Sequence, residues 1–449
     1  MLIVPNRSIS HRTVWSLAGP MIVSNLTVPI VGAVDTAVVG HLSGPHYIGA
    51  VALGALIFSF LYWGFGFLKM GVTGYIARAY GSQNEQEICD YLLRFIAISL
   101  IAGITVILLG KPLIDFALYI LDSSERVELL ASEYANIRLW SAPAALCVFV
   151  FTGVFVGLHN TRMALVLQLV LNLTNLVLDL LFVPVLNLGV PGVAWATLIA
   201  EYSAALLGFY LLRKQVMSAV RNLTFQEFFD PNILKHLGAT NSNIFVRTVC
   251  LMFCFAFFTD QSARYGELIL AANTILMHLQ TFMAYGVDGF AHATEALGGS
   301  AYGSQKRKRF LRVVRLTTLW AFLTACAFSL IYLIGGPIII GLFTNLAEIV
   351  ELSKQFLPWM IVLPLFSFMS FQLDGLFIGV GYTRQMRNAM LISTAGYLLM
   401  AYIFQSWLDN HGLFLALICF MTLRAVTLLY YYPSVVRSFP PQTNGIRNG

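Results

Sequence analysis

Acidic side chains embedded in apolar sequence are the residues of this chain with the most informative chemistry. Asp35 lies in the stretch AVDTAVVG at residues 33–40, with apolar residues on both sides. If it faces the interior of a helix bundle, its carboxyl group can take up and release a proton, which is why such a residue indicates a functional site. If it lies near the outer end of its helix, it simply reaches water.

A polar stripe follows at Asn172, Asn175 and Asp179. Spacings of three and four residues place these side chains on one face of a helix that is otherwise mainly Leu and Val. A polar face on such a helix is expected to point inward. It either holds neighbouring helices together by hydrogen bonds or forms a proton or cation site together with Asp35.

Further ionisable side chains are scattered through apolar segments. Asp288 and Glu295 are seven residues apart and share a helix face, and Asp374 lies in another segment. Arg247 either pairs with one of these carboxylates as a structural bridge or belongs to a transport site. Glu201, in the first half of the chain, is an additional candidate. Because acidic groups outnumber basic ones in these segments, a cationic cargo is favoured over an anionic one.

Two prolines mark the first helix as a candidate hinge. Pro20 and Pro29 have no backbone N–H, so each frees a carbonyl four residues earlier, at Ser16 or Asn25. Each proline predicts a kink, either as a static bend or as a hinge. Pro20 follows Gly19, and this pair is the better hinge candidate.

The composition identifies a membrane protein. Of the 449 residues, 58% are hydrophobic and 11% are charged, whereas about 25% of a soluble domain is charged. A net charge of +6, without a domain dense in Lys and Arg, excludes a nucleic-acid-binding protein. The sequence contains none of the patterns of catalytic sites, metal centres or nucleotide-binding loops. We therefore expect neither an enzyme nor a cofactor, and active transport would have to use an ion gradient or a partner protein that this sequence does not show.

Twelve apolar segments are separated by polar breaks, and each is long enough to span a bilayer as a helix. They lie near residues 13–40, 47–69, 92–111, 131–158, 163–183, 191–212, 238–259, 266–290, 311–334, 350–380, 387–407 and 412–433. Such runs are much longer than the strands of a membrane barrel, so we predict an all-α polytopic membrane protein.

The distribution of Lys and Arg predicts the orientation, because these residues are enriched on the cytoplasmic side. With the N-terminus inside, nineteen of them, from Arg7 to Arg447, fall in inside segments. Five fall in outside segments: Lys111, Arg126, Arg138, Arg264 and Lys354. We therefore expect a multi-pass protein of the inner (cytoplasmic) membrane with both termini in the cytoplasm.

The sequence repeats itself with a displacement of 222 residues. AYGSQ at 79–83 recurs at 301–305, and a spaced pattern of Gly, Phe, Gly, Thr and Arg within 153–162 recurs within 375–384. Because the displacement carries six segments, the halves form parallel repeats, two six-helix bundles around a central cavity. The expected organisation is an N-terminal lobe at 1–213, a cytoplasmic linker at 214–237, a C-terminal lobe at 238–433 and a cytoplasmic tail at 434–449.

The chain resembles multidrug and toxic compound extrusion (MATE) transporters, in particular their DinF branch, essentially from end to end. The stretches that carry the resemblance are VDTAVVG at 34–40, Asn175 with Asp179, GVAWAT at 192–197, LAANTIL at 270–276 and DGFAHATEA at 288–296. The resemblance implies two six-helix lobes, cation-coupled export of cationic or amphipathic compounds, and bending of the first helix at Pro20 on protonation. The residues that match the family's coupling site are Asp35, Asn175, Asp179 and Thr197, with Tyr134 as a further member.

One departure from the family bears on the coupling ion. The sodium-coupled branch is associated with an acidic residue in the seventh helix that acts with one in the tenth. Asp374 is present in the tenth segment, but the seventh has Asn241, Asn243 and Arg247 in place of an acid. Proton coupling is therefore favoured over sodium coupling.

Our hypothesis from the sequence is a monomeric multidrug exporter in the lipid bilayer, which exchanges small cationic or amphipathic drugs for protons and confers drug resistance. A sodium-coupled drug antiporter is one alternative. A lipid-linked saccharide flippase is another, but its pyrophosphate headgroup calls for several basic side chains in the cavity. Arg247 and Arg424 are the candidates for that role. An intramembrane enzyme would need a nucleophile–base pair or a metal set, and none stands out.

Overall fold

A computed structural model describes residues 8–40, 44–121 and 123–440, and in this part of the chain the regular secondary structure is entirely α-helical. Arg7, Arg447 and the end of the expected tail lie outside the described residues. The helices are α1 His11–Val39, α2 Pro45–Gly64, α3 Phe67–Gly81, α4 Glu85–Leu121, α5 Glu125–Leu139, α6 Ala142–Gly157, α7 Thr161–Phe182, α8 Gly189–Asn222, α9 Phe225–Phe228, α10 Pro231–Arg264, α11 Glu267–Gly303, α12 Arg307–Phe343, α13 Ala347–Val380 and α14 Thr383–Arg437.

Helices of this length and apolarity are suited to a bilayer, where every backbone polar group has to be satisfied within the segment. Within the described ranges, nine helices are long and apolar enough to cross a membrane, or ten if α5 and α6, which meet at 56°, form one bent span. α14 has 55 residues and is interrupted at Asp409 (φ 49°, ψ −130°), so it supplies two segments. With α1, this gives the twelve helices expected from the sequence, and the all-α membrane fold is confirmed.

The internal repeat is visible in the helix bounds. α2 begins at Pro45 and α11 at Glu267, and α4 spans Glu85–Leu121 where α12 spans Arg307–Phe343. Each pair is separated by the 222 residues found in the sequence. Left-handed residues at helix ends recur with the same displacement, as the pairs Gln83 and Gln305, His159 and Gly381, and Asn187 and Asp409. The interruption in α14 therefore corresponds to the turn between α7 and α8.

The described residues form two compact units. One contains Trp15–Ile76 and Glu85–Val249, and the other contains the residues up to Val14, Ala77–Asn84 and the chain from Cys250 onward. In the region of the expected linker, α8 continues to Asn222 and α10 begins at Pro231. Both positions lie within the first of these units. The lobe, linker and tail boundaries expected from the sequence stay predictions.

The two copies of AYGSQ pack against each other inside the second of these units. A Cβ atom on Gly81 would lie 2.0 Å from the carbonyl oxygen of Ser300, and one on Gly303 would lie 2.1 Å from that of Arg78. A guanidinium nitrogen of Arg78 also donates a hydrogen bond of 3.0 Å to the carbonyl of Gly379. Glycine is therefore required in both copies because two helix ends meet there at backbone distance.

Candidate functional site

Two buried carboxyl groups face each other in the first of these units, which we call the N-terminal unit. α1 carries Asp35, whose exposed fraction is 7%, and α7 carries Asp179, which has no exposed surface. Their side chains lie within hydrogen-bonding reach of each other. Among the described residues, no donor reaches Asp35 Oδ1 or either carboxylate oxygen of Asp179. Two carboxylates cannot donate to each other, so one proton held between them would supply the missing donor.

An amide and a hydroxyl extend this cluster to α8. Asn175 lies one helical turn before Asp179 on α7, and its Nδ2 donates to Thr197 Oγ1 over 3.2 Å. The Thr197 hydroxyl in turn donates to the carbonyl of Val193 over 3.0 Å. The four residues that the resemblance assigned to a coupling site thus lie on three packed helices, and Asn175 positions the Thr197 hydroxyl.

A buried arginine on α5 is the member of this region that the sequence did not identify. Arg138 donates to Glu201 on α8 over 3.1 Å and to the Tyr134 hydroxyl over 3.0 Å. Its charge also acts on Asp35 and Asp179. In the sequence, Arg138 was counted with the outer loops because it lies near the edge of an apolar segment. Its spacing of four residues from Tyr134, which places both on one helix face, was the available signal.

Aromatic rings surround the Arg138 guanidinium. Its Cζ atom lies 4.9 Å from the ring centroid of Phe58, 5.8 Å from that of Tyr134 and 6.0 Å from that of Tyr62. Contacts of this kind stabilise a desolvated cation by about 2 kcal/mol. The Tyr134 ring lies directly against α2, since a Cβ on Gly54 would come within 2.3 Å of it. The guanidinium is therefore held in place by packing as well as by charge.

The charges of this region do not cancel. Asp35, Asp179 and Glu201 contribute three carboxyl groups, against the single guanidinium of Arg138. An excess of negative charge away from water is costly, so the region favours binding of a proton or another cation. Arg138 compensates one carboxylate permanently, and the facing pair is where a further positive charge is needed.

The candidate hinge in α1 has a partner outside the helix. Pro20 frees the carbonyl of Ser16, and the hydroxyl of Thr161, at the start of α7, donates to it over 3.3 Å. A Cβ on Gly19 would meet no atom within 4 Å, so α1 has free space on that side. Pro29 is the second proline inside the helix. Bending at these residues stays a prediction.

In the second unit, which contains the chain from Cys250 onward and which we call the C-terminal unit, Asp374 forms a buried ion pair with an arginine. Arg424 on α14 donates to Asp374 Oδ2 over 2.5 Å, and its guanidinium lies 5.7 Å from the ring of Phe371 and 5.6 Å from that of Phe420. The exposed fraction of Arg424 is 1%. The sequence had left open a bridge with Arg247, which is itself buried. The pairing of Arg424 with Asp374 could not be anticipated from a separation of fifty residues.

Two further candidates of this unit, Asp288 and Glu295, lie on α11. Glu295 is buried and lies 3.4 Å from His292 Nδ1, one turn earlier on α11. Asp288 is half-buried on the same helix. At the other end of α11, the side-chain amides of Asn273 and Asn410 exchange hydrogen bonds of 2.7 and 3.0 Å. The latter pair was also missed in the sequence, because it joins two distant helices.

Comparison with known proteins identifies clear relatives. The MatE family model matches residues 20–181 and 244–404. DNA damage-inducible protein F of Escherichia coli (strain K12) is 40% identical over 420 residues, which are 93% of this chain and 91% of that protein. Multidrug and toxin extrusion protein 1 of Homo sapiens is 24% identical over 431 residues, 93% of this chain and 74% of that protein.

Solved structures share the fold. A crystal structure of MATE in the bent conformation has a TM-score of 0.87 at 21% identity and covers 96% of this chain and 98% of that one. A crystal structure of MATE in the straight conformation has a TM-score of 0.84 at 22% identity and covers 95% and 96%. At this identity the likeness concerns the fold. The two matched stretches of the family model correspond to the two halves of the internal repeat.

Proposed function

Since this chain belongs to the MatE family of membrane transporters, we propose that it is a secondary active multidrug exporter driven by proton antiport. The resemblance predicted from the sequence, including its DinF branch, is confirmed by these relatives. Members of the family are transporters and not enzymes. The proposed cargo is a small cationic or amphipathic compound, and the proposed cycle is alternating access.

The facing carboxyl groups of Asp35 and Asp179 are the observation that carries the proton-coupling proposal. A proton shared between them satisfies buried oxygens that no other described residue reaches. It also removes one negative charge from a region that holds three carboxyl groups and one guanidinium. A positively charged cargo molecule would likewise compensate the excess negative charge of these carboxyl groups. Proton and cargo therefore oppose each other through one charge balance, and this opposition is reciprocal.

The cycle follows from this competition. In the outward-facing state, Asp35 takes up a proton, and its interaction with Asp179 and Asn175 changes from that of a carboxylate to that of an acid. α1 then bends near Pro20, and cargo leaves to the outside. After return to the inward-facing state, the proton is released to the cytoplasm and new cargo binds. Arg138 stays paired with Glu201 throughout, so that the pair of aspartates is the group that titrates.

A sodium-coupled antiporter is less well supported. Asp374, the acid that the sodium branch would use, has Oδ2 engaged by Arg424 at 2.5 Å. A sodium ion would have to displace this guanidinium. Pairing of Arg424 with a carboxylate also makes this residue a poor partner for the pyrophosphate of a lipid-linked saccharide. We further propose an inner-membrane location with both termini in the cytoplasm and a monomer as the working unit.

Transport by purified protein in liposomes tests the proposal. The measurement is efflux of ethidium under an imposed pH gradient or an imposed sodium gradient, for wild type, Asp35→Asn and Asp374→Asn. We expect efflux that is driven by the pH gradient, lost in Asp35→Asn and retained in Asp374→Asn. Efflux driven by the sodium gradient alone would identify sodium as the coupling ion and contradict proton coupling. Absence of efflux under both gradients would favour the flippase.

A further inference from the structure

A surface groove lies beside the beginning of α12. Its volume is about 890 Å³, and its lining is made by His11, Leu311, Arg312, Arg315, Leu316, Thr318, Leu319, Phe322 and Phe368. The two arginines are exposed, and among the described residues neither forms an ion pair. The described residues that line the groove include no carboxylate. The groove therefore combines an uncompensated positive end with an apolar wall.

The apolar end of the groove is built by packing. The rings of Phe322 on α12 and Phe368 on α13 lie 5.4 Å apart between centroids. Beside Leu319, Trp320 Nε1 donates to His11 Nδ1 over 3.0 Å, which ties the beginning of α1 to α12. Leu319 and Phe322 each have an exposed fraction of 42%. The groove thus has a fixed shape and presents apolar surface to the bilayer.

The internal repeat shows that the basic residues here are not a general property of such a helix. The counterpart of α12 is α4, 222 residues earlier, where equivalent positions carry the opposite charge: Glu85 and Arg307, Glu87 and Arg309, Asp90 and Arg312. Acidic residues suit the first turn of a helix because its N-terminus is positive, and basic residues do not. The basic start of α12 therefore opposes the helix dipole.

We propose that this groove binds an anionic phospholipid, with its phosphate between Arg312 and Arg315 and its acyl chain along Leu319, Phe322 and Phe368. Arg312 and Arg315 are three residues apart and so lie on one face of α12. Basic pockets at the cytoplasmic face of membrane helices suit lipids of this kind, and the orientation predicted from Lys and Arg places the groove there. The site does not depend on the ion that drives transport.

Lipid binding to the purified full-length protein tests the proposal. Native mass spectrometry in detergent would count adducts of dioleoylphosphatidylglycerol and of dioleoylphosphatidylcholine on wild type, Arg312→Gln/Arg315→Gln and Lys306→Gln/Lys308→Gln. The lysine variant is a matched control, because it removes the same charge from the same end of α12 outside the groove lining. Phe322→Ala removes apolar wall without changing charge. All variants would first be compared with wild type by thermal unfolding, so that binding is read on folded protein.

We expect wild type to prefer phosphatidylglycerol. Each basic residue is worth about a factor of five in attraction to an anionic lipid. Arg312→Gln/Arg315→Gln should therefore lose roughly 25-fold in affinity, while the lysine variant stays near wild type. Phe322→Ala should weaken binding of both lipids. Equal losses in the two double variants would mean diffuse charge attraction, and unchanged binding in the arginine variant would place the lipid elsewhere. Displacement of the lipid by glycerol 3-phosphate at equal concentration would mean a phosphate site; each of these three results overturns the proposal.

Discussion

Arg138 on α5 and Glu201 on α8 form an ion pair of 3.1 Å in which both side chains are buried. Such a pair contributes little stability in itself, but loss of one partner leaves an uncompensated charge away from water. The charge of the Arg138 guanidinium also acts on Asp35 and Asp179. In the proposed cycle, Arg138 and Glu201 are therefore the constant charges in whose presence the two aspartates titrate.

Arg138→Gln should destabilise the protein by about 3 kcal/mol, because Glu201 is left buried without its counter-charge. Arg138→Gln/Glu201→Gln should regain most of this loss, since neither charge then remains. Thermal unfolding in detergent measures both variants. Equal destabilisation in the single and double variants would contradict the coupling of these two residues.

Thr161→Val should weaken the hinge region of α1. The variant keeps the shape of the side chain but removes the donor that reaches the Ser16 carbonyl, at a cost of about 1 kcal/mol. Thr161→Ser retains a hydroxyl and should behave as wild type. The matched control is Thr105→Val, on an exposed helix face where the hydroxyl bonds within its own helix. If Thr161→Val and Thr105→Val lower the unfolding temperature by the same amount, the contact between Thr161 and Ser16 does not contribute specifically to stability.

Gly81→Ala and Gly303→Ala should each destabilise the protein strongly, by about 3 kcal/mol or more, because the added methyl group meets backbone that cannot move aside. Gly341→Ala is the control, since a Cβ there meets nothing within 4 Å. Expression level and unfolding temperature would report the difference. Tolerance of alanine at Gly81 would mean that the two repeat motifs do not pack at backbone distance.

Asp374→Asn should lower stability by about 3 kcal/mol, because Arg424 loses its buried partner. Proton-driven efflux per folded molecule should nevertheless persist, since the two aspartates that we propose to titrate lie in the N-terminal unit. Asp374→Asn/Arg424→Gln should recover stability. Loss of proton-driven efflux in a well-folded Asp374→Asn protein would move the coupling site to the C-terminal unit.

The fold was largely accessible from the sequence because its determinants are local. Apolar runs of membrane length predict helices, and the two AYGSQ motifs indicate the repeat from the sequence alone. Interruptions of a helix within one apolar segment were harder to predict from the sequence. α2 ends at Gly64 and α3 begins at Phe67, inside one apolar run, and hydropathy does not change there.

The candidate site was predicted in part for a similar reason. Asp35 and Asp179 interrupt apolar sequence and are therefore visible as single residues. Arg138 lies close to a polar flank, where a basic residue is ordinary, and only the packing of α5 against α8 buries it. The pairing of Asp374 with Arg424 could not be predicted from the sequence either, because ion pairs between helices far apart in sequence depend on tertiary structure. Sequence patterns identify ionisable side chains within membrane-spanning segments, and the tertiary structure determines which of these side chains are in contact.

Proton release on cargo binding is the most direct measurement of the proposed competition. Calorimetric titration of ethidium into purified protein, in two buffers of different ionisation enthalpy at the same pH, gives the number of protons exchanged. We expect wild type to release up to about one proton per bound cargo molecule, and Asp35→Asn to release none while still binding. Cargo binding by wild type without proton release, across the pH range in which transport is proton-driven, would contradict a shared charge balance at Asp35 and Asp179.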